Sequence, residues 1–230
     1  MWPKKLEKYR SILEIRDYIK SKKVEFKRND LRGKIKIAVI DDDSFKPRPN
    51  LENYGFQFDE LQDIKSIEKI SKYDIVICDL MDVGTNFDSA IGGASIIGEI
   101  KRNYPSKYVI AYTGARANSP ESIAAKEYAD AHVKKDTEIT KLVSELDEAI
   151  DYSLDPYEKW IITRQGLIDL DVDLREVVKL EDAYVQSVLS KDANLQGFKS
   201  AIISAAIPGH AKAIAQSLAA SVIYRILFPS

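Results

Sequence analysis

The sequence predicts a doubly wound parallel α/β sheet followed by an all-α C-terminal region. Short apolar runs that alternate with helical patterns are typical of such a sheet. Five such runs occur, at 35–40, 56–61, 74–78, 108–112 and 131–134. From residue 154 onward the patterns are helical. We therefore expect five parallel strands with helices on both faces, then three or four helices.

The chain opens with a predicted basic amphipathic helix over residues 4–23. Its apolar side chains recur at helical spacing and form one stripe, which comprises Leu6, Tyr9, Leu13 and Ile19. Residues 1–34 contain twelve Lys or Arg and five Asp or Glu. This surplus either belongs to a solvated helix face or contacts nucleic acid or acidic lipid.

The connection after the first strand departs from the expected alternation. Pro47 and Pro49 lie in it, and because proline disfavours a helix interior, the first helix of the sheet is short or missing. After the second strand we expect a helix that presents Ile64, Ile67 and Ile70.

A long loop precedes the next helix. It runs over residues 81–93 and contains three glycines, and a helix near 94–103 follows. Ser119 and Pro120 start another helix that ends near Asp130, because a hydroxyl caps a helix and proline suits its first turn. An amphipathic helix over 137–152 closes the α/β region.

These elements predict three parts: a basic helical arm at 1–33, an α/β domain at 34–153 and a helical output or interaction region at 154–230. The helices of the last part are expected near 156–168, 173–190, 193–206 and 210–228. This part carries eight Lys or Arg and nine Asp or Glu, so it lacks the charge of a DNA-binding output domain. Its last helix is apolar on most sides, which is typical of burial in a bundle or at a subunit contact; peripheral membrane binding is the alternative.

Bulk features predict a cytoplasmic protein. No run of about 18 apolar residues occurs, so no membrane span is expected. The first residues lack the apolar core of a signal peptide. Cys78 is the only cysteine, which excludes a disulfide framework and fits a reducing compartment.

Polar residues follow the predicted strands at the points where these strands end. They are Asp41 and Asp42, Asp79, Thr113, and Lys134 or Lys135. In parallel α/β sheets, ligands bind beyond the carboxyl ends of the strands. Carboxylates, a hydroxyl and an ammonium at one edge suit a divalent cation and a phosphoryl group.

Because these polar residues follow the predicted strands in this order, residues 34–152 resemble the receiver domain of two-component response regulators. The motifs are Asp41-Asp42, Ile-Val-Ile-Cys-Asp79, Ile-Ala-Tyr-Thr113-Gly114 and Ala129-Asp130-Ala-His-Val-Lys-Lys135-Asp136. They match, in order, the paired acids, the phosphoacceptor strand, the strand-four threonine and the strand-five lysine of the family. The register of the last motif favours Lys135 over Lys134 and places His132 where the family has a switch aromatic.

The resemblance implies a site that binds Mg²⁺ and a phosphoryl group. Asp79 would accept the phosphoryl group from a histidine kinase or a small phosphodonor, as in a phosphorelay. The carboxylates of Asp41, Asp42 and Asp79 and the backbone carbonyl of Met81 would hold Mg²⁺.

The resemblance also assigns roles to Lys135 and Thr113 in the site and to Thr113 and His132 in signalling. Lys135 would pair with one phosphoryl oxygen, and Thr113 would hydrogen-bond another. Movement of Thr113 and His132 would carry the signal to the helix at 137–152. The family implies a prokaryotic, cytoplasmic phosphoprotein with no enzymatic activity beyond phosphorylation and dephosphorylation of its own aspartate. It would act through a protein partner or as a homo-oligomer, by means of its helical regions.

Two features of the sequence depart from the family. From Asp42 to Asp79 is 37 residues, several fewer than usual, and the deficit falls on the first helix, which in the family helps to dock the kinase. The loop at 82–92 is longer than usual and could form a lid over the site or contact a partner. These departures keep open a pseudo-receiver that binds proteins without phosphorylation.

Two other functional classes match parts of the sequence. Asp41-Asp42-Asp43 fits the nucleophile motif of phosphohydrolases of the haloacid dehalogenase type, but Phe45 stands where that family needs Thr or Val. Binding of nucleic acid through the basic residues 1–34 is the other, and its affinity would fall with salt.

Overall fold

The computed structural model of this chain describes residues 9–21, 28–114 and 116–229. Predictions that concern residues 1–8 and 22–27, including Leu6 and both ends of the helix expected at 4–23, lie outside the described residues. Within them, five strands form one parallel sheet in the order β2-β1-β3-β4-β5. The strands are β1 Lys36–Ile40, β2 Gln57–Glu60, β3 Ile75–Asp79, β4 Tyr108–Thr113 and β5 Ala131–Lys134. This order is the flavodoxin-like one, and the predicted fold class is confirmed.

Helices cover both faces of the sheet and form the C-terminal part. In the order of the chain they are α1 Leu13–Ser21, α2 Arg28–Arg32, α3 Arg48–Asn53, α4 Gly93–Asn103, α5 Pro120–Ala125, α6 Ile139–Ser153, α7 Pro156–Asp169, α8 Leu174–Leu189, α9 Gln196–Ser204, α10 Gly209–Ala220 and α11 Ile223–Leu227. None of the helices in the described part of the chain is long and apolar enough to cross a membrane.

Two predicted helices are shorter than expected. The helix around Ile64 and Ile70 is only a 3-10 turn at Ile67–Ile70, because the chain must then enter β3. The helix after Ser119 ends at Ala125, since Asp130 is drawn to the sheet, where it accepts a hydrogen bond from the amide of Val109 at 2.8 Å.

The helix expected at 210–228 is broken. Ser221 has extended backbone angles and separates α10 from α11. Its hydroxyl donates to Oδ1 of Asp74 at 2.6 Å, and the amide of Val222 approaches Oδ2 of Asp74 at 3.3 Å. These bonds to a carboxylate outside the helix replace helical hydrogen bonds at the break.

The first helix of the sheet is short, as predicted. Only six residues form α3, and it starts at two prolines. The preceding helix α2 also packs on α6. There Arg32 donates to Asp147 of α6 at 2.8 and 2.6 Å and lies over the ring of Phe56 at 4.8 Å. A segment that precedes the sheet in sequence thus covers α6 beside the short helix.

The stripe predicted for the first helix is wrong at two positions. Tyr9 and Leu13 are exposed, whereas Ile12 and Ile15 are buried. Ile12 and Ile15 belong to the same core as Trp160 of α7, and α1 also contacts α8. The helix therefore packs against the C-terminal helices, and together they form what we call the helical part, α1 with α7–α11.

Two apolar cores flank the sheet, and a third fills the helical part. Ile37 and Val39 face α6, whereas Ala38 and Ile40 face α4, as the two-residue repeat of a strand requires. In the third core, Trp160 stacks on Tyr184 with ring centroids 5.1 Å apart. We call β1–β5 with α2–α6 the α/β part.

Charged side chains are buried where the two parts meet. Asp74, which precedes β3, is 3% exposed, Lys107 before β4 is 3% exposed, and Lys159 of α7 is 1% exposed. Lys159 donates to Asp74 at 2.9 Å, and Lys107 donates to the carbonyls of Ser71 and Tyr73. Burial lowers the pKa of Lys107 to about 8, against the opposing effect of Asp74.

The depressed pKa of Lys107 makes stability depend on pH. Since its folded pKa lies below the ordinary 10.5, the unfolded chain binds more protons between these values, and the free energy of unfolding rises with pH there. We expect the difference between the free energies of unfolding of wild type and Lys107→Met to change in favour of wild type by about 2 kcal/mol from roughly pH 7.5 to 9.5. Urea unfolding at several pH values measures it, with the exposed Lys69→Met as control. Equal pH slopes for wild type and Lys107→Met would contradict the assignment.

Candidate functional site

The carboxyl edge of the sheet brings three carboxylates together. Asp41 directly follows β1, and Asp79 ends the neighbouring strand β3. With Asp42 they offer oxygen atoms that all lie within 4.8 Å of one another. Asp41 and Asp79 are buried, and Asp42 is exposed. Such a set of oxygen donors suits a hard divalent cation.

Lys135 joins the carboxylates of two strands. Its ammonium donates to Oδ2 of Asp79 at 2.7 Å and to Oδ2 of Asp41 at 3.0 Å. Its backbone amide donates to the carbonyl of Thr113 at 3.0 Å, which fixes the start of the loop after β5. Lys134 is the last residue of β5 and is exposed. Among the described residues, Lys135 and not Lys134 makes the ion pairs with these acids.

The ionisation of Asp79 and Lys135 reflects burial and their mutual contact. Burial raises the pKa of the Asp79 carboxyl above its ordinary value, although the hydrogen bond from Lys135 opposes this effect. Burial also opposes the charge of Lys135, but its hydrogen bonds to Asp79 and Asp41 outweigh burial and raise its pKa. The ammonium therefore stays charged at neutral pH.

Three other residues from the sequence prediction lie at different depths. Thr113 is buried at the end of β4. Met81 is exposed, and its amide approaches Oδ1 of Asp79 at 3.3 Å. His132 is exposed on the edge strand β5. It lines a separate depression of about 230 Å³ with Lys141 of α6 and others, and it does not line the cavity beside the carboxylates.

A cavity of about 540 Å³ opens beside Asp41 and Lys135. Its lining has basic, acidic and neutral side chains, namely Asp41, Asp43, Ser44, Lys46, Tyr112, Thr113, Gly114, Arg116, Ala117, Lys134, Lys135 and Asp136. The space lies next to the buried oxygens of Asp41 and is wide enough for a small anionic group with its counter-charges.

The long loop after Asp79 folds back on the start of α4. The amide of Gly84 donates to Asp63 at 2.9 Å, and the amide of Gly93 donates to the carbonyl of Leu80 at 3.1 Å. Gly84 and Gly92 have positive φ angles of 77° and 50°, which glycine adopts most easily. None of residues 82–92 lines the cavity beside Lys135.

The prediction of the site missed an aromatic residue. The ring of Tyr112 lies 5.7 Å from the ammonium of Lys135 and makes an edge contact with Phe45 at 5.4 Å. A ring at this distance attracts a cation. Its position immediately before Thr113 was visible in the sequence, but the turn that brings Lys135 over the ring was not.

Solved structures of similar fold were found. A receiver domain protein from Methanospirillum hungatei is 16% identical, with a TM-score of 0.43 over 52% of this chain and 95% of that chain. A response regulator from Thermotoga maritima is 17% identical, with a TM-score of 0.42 over 51% of this chain and 98% of that chain.

A third similar structure is that of a response regulator from Burkholderia pseudomallei with a phosphorylated aspartic acid, a calcium ion and citrate. It is 16% identical, with a TM-score of 0.40 over 63% of this chain and 89% of that chain. No protein-family model and no curated protein matches the chain.

The α/β part has the flavodoxin-like strand order that the sequence predicted. The acids that follow β1 and end β3 lie together with the lysine after β5 at the carboxyl edge of this sheet. The solved structures named above are receiver domains or response regulators and cover roughly half of this chain or somewhat more.

Gly93 decides how closely α4 approaches the site. A Cβ atom there would lie 1.8 Å from the carbonyl oxygen of Asp79. We expect Gly93→Ala to lower the free energy of unfolding by about 3 kcal/mol, because overpacking forces the backbone apart. In the same helix, a Cβ at Gly98 would lie 3.6 Å from its nearest neighbour, so Gly98→Ala should be neutral or raise stability by up to about 1 kcal/mol. Urea unfolding compares the two, and equal effects would contradict this geometry.

Proposed function

We propose that this protein is a response-regulator-like signalling protein whose Asp79 accepts a phosphoryl group. The observation that carries the proposal is the contact of Lys135 with Asp79 and Asp41 at 2.7 and 3.0 Å. A buried carboxylate in contact with an ammonium, beside two further carboxylates, is what phosphoryl transfer to an acid requires.

In the proposed reaction, a carboxylate oxygen of Asp79 attacks phosphorus, and the bond between phosphorus and the leaving group breaks. The product is an aspartyl phosphate, and the leaving group takes the electron pair of the broken bond. Lys135 pairs with the negative oxygens of the transferred group, and Thr113 donates a hydrogen bond to one of them. The reaction depends on positioning and charge, which these side chains supply.

Mg²⁺ is the proposed cofactor. The carboxylates of Asp41, Asp42 and Asp79 fit it because all their donors are oxygens, and the backbone carbonyl of Met81 is the proposed fourth protein donor. When bound, the ion would neutralise charge on the phosphoryl oxygens. Lys135 already balances part of the negative charge of the carboxylates. We expect its ammonium to exchange one carboxylate contact for a contact with the phosphoryl group.

We propose that the signal leaves the site through Thr113 and His132. Thr113 ends β4, His132 lies in the neighbouring strand β5, and the backbone of Lys135 ties the end of β4 to the loop after β5. A shift of Thr113 toward the phosphoryl group would therefore move this loop. His132 lies on the exposed edge of the sheet, where a shift changes a surface that a partner can bind.

The phosphodonor is proposed to be a histidine kinase or a small phosphodonor. A kinase would meet α3 together with α2, because both pack against α6. The protein would act in the cytoplasm of a prokaryote as part of a phosphorelay. It would act through a protein contact or self-association of its helical regions, with no DNA contact and no enzymatic activity beyond phosphorylation and dephosphorylation of Asp79.

One observation favours a pseudo-receiver, which would bind partners without phosphorylation. Both carboxylate oxygens of Asp79 are already engaged, Oδ1 by the amide of Leu80 at 2.7 Å and Oδ2 by Lys135 at 2.7 Å. In a pseudo-receiver, these contacts of Asp79 would hold Lys135 and the loop after β3 in place, and the protein would bind its partner without a phosphoryl group.

Phosphorylation of Asp79 separates the two functions. We expect intact-protein mass spectrometry to show one added phosphoryl group after incubation with Mg²⁺ and acetyl phosphate, and none in Asp79→Asn, which keeps the shape but is not a nucleophile. The exposed Asp88→Asn is the matched control and should gain the group. If wild type gains nothing while calorimetry shows Mg²⁺ binding, the pseudo-receiver is favoured instead.

The two neighbouring lysines provide a second test. We expect Lys135→Met to slow phosphorylation by roughly 100-fold, because one charged donor to the reacting oxygens is removed. Lys134→Met should react at the wild-type rate, since Lys134 makes no ion pair with the acids in the described chain. The rate of mass gain measures both. A larger loss in Lys134→Met would reverse the assignment.

A further inference from the structure

The junction between the two parts is built around one buried carboxylate. Asp74 accepts hydrogen bonds from Lys159 at 2.9 Å, from the hydroxyl of Ser221 at 2.6 Å and from the amide of Val222 at 3.3 Å. All three donors belong to the helical part or to the break between α10 and α11. Asp74 itself lies at the start of β3 in the α/β part. One side chain of the sheet thus binds two separate segments of the helical part.

Positive charge exceeds negative charge at this junction. Lys159 also donates to the carbonyl of Ser106 at 3.2 Å, and Lys107 is buried close enough to favour ionisation of Asp74. Burial opposes ionisation of Asp74, but Lys159 and Lys107 outweigh it and hold the pKa of Asp74 below its ordinary value. Two ammonium groups therefore depend on one carboxylate, and loss of its charge would leave both buried without compensation.

The short helix α11 connects the two apolar cores. Ile226 belongs to the core between the sheet and α6, whereas Ile223 and Tyr224 belong to the core of the helical part. The hydroxyl of Tyr224 lies 2.7 Å from that of Tyr184 in α8. The two cores are otherwise separate clusters that share Leu154 at their margins. Docking of α11 therefore joins the core of the helical part to the core between the sheet and α6.

We propose that Asp74 is the latch that holds α10 and α11 against the sheet. When its charge is lost, the donors of Ser221 and Val222 are held less strongly, and separation of this segment is favoured because it lets water reach the uncompensated ammonium groups of Lys107 and Lys159. The α/β part stays folded because the two cores that flank its sheet include no side chain of α10, and the separating segment supplies only Ile226 and the partly buried Val222 to them. Separation uncovers Ile223, Tyr224 and Ile226, which are buried when the latch is closed.

The latch is independent of phosphorylation at Asp79 and can be tested without it. Hydrogen exchange with mass spectrometry on the full chain compares wild type with Asp74→Asn. We expect exchange of the amides at 209–227 to accelerate at least tenfold, while those of β1 and β3 keep the wild-type rate. Unchanged exchange at 209–227 overturns the proposal, and so does equal acceleration in both parts, which would mean that they unfold as one unit.

Asp130→Asn is the matched control. Asp130 also accepts from a lysine, Lys101 at 2.9 Å, and from a backbone amide, that of Val109 at 2.8 Å, but both partners belong to the α/β part. It should leave exchange at 209–227 unchanged. An equal acceleration there would show that the loss of any acid paired with a lysine and a backbone amide loosens the junction, and it would overturn a specific latch.

Two further variants decide the question if Asp74→Asn does not fold. Ser221→Ala keeps the ion pair but removes one bond of the latch, and we expect exchange at 221–227 to rise several-fold. No change in that segment overturns the proposal. Adding Lys107→Met to Asp74→Asn removes one of the two stranded charges and should restore folding or slow exchange toward wild type. Failure to do either would overturn the electrostatic basis of the latch.

Discussion

The parallel pairing of β3 between β1 and β4 is the constraint on which the molecule depends. Because all three strands run in the same direction, their carboxyl ends meet at one edge and their amino ends at the other. Asp79 ends β3 at the first edge, and Asp74 precedes it at the second. The central strand therefore carries the candidate acceptor at one end and the junction with the helical part at the other.

The two ends of β3 handle buried charge differently. At the carboxyl edge, Asp79 and Asp41 share one ammonium, that of Lys135, so negative charge is in excess and a cation is attracted. At the amino edge, one carboxylate faces Lys159 and Lys107, so positive charge is in excess. An excess of buried charge has a cost, which a bound cation would offset at the carboxyl edge. At the amino edge the cost rises if Asp74 loses its charge, so both edges are candidate points of control.

The shortened first helix changes the surface beside the candidate site. In place of a long helix, α3 and α2 lie against α6, and the pair of Arg32 with Asp147 fixes α2 there. The rings of Phe45 and Phe58 lie 5.3 Å apart, and Tyr112 packs on Phe45 under Lys135. The space left by the missing turns is thus filled partly by aromatic side chains and partly by a segment that precedes the sheet. A partner that recognises a full-length first helix would meet a different surface here.

The sequence by itself determined the sheet, the order of its elements and the residues at its carboxyl edge. Strand periodicity is a local property, and the alternation of strands with helices predicts a parallel sheet, so Asp41, Asp79, Thr113 and Lys135 could be placed at one edge from spacing and motif. The residues alone left open whether Lys134 or Lys135 lies in the site, because a loop start can present either side chain. Tertiary contact placed Lys135 on the two acids through the bond of its amide to the carbonyl of Thr113.

Only the tertiary structure decided how the helices meet. The packing of α1 on α7 and α8, the break at Ser221 and the cluster around Asp74 depend on residues far apart in the chain. No periodicity marks Lys159 as buried, because a lysine on a helix is exposed unless a distant carboxylate compensates its charge. Local pattern therefore predicted which elements form, and long-range compensation of charge and apolar surface decided where they lie.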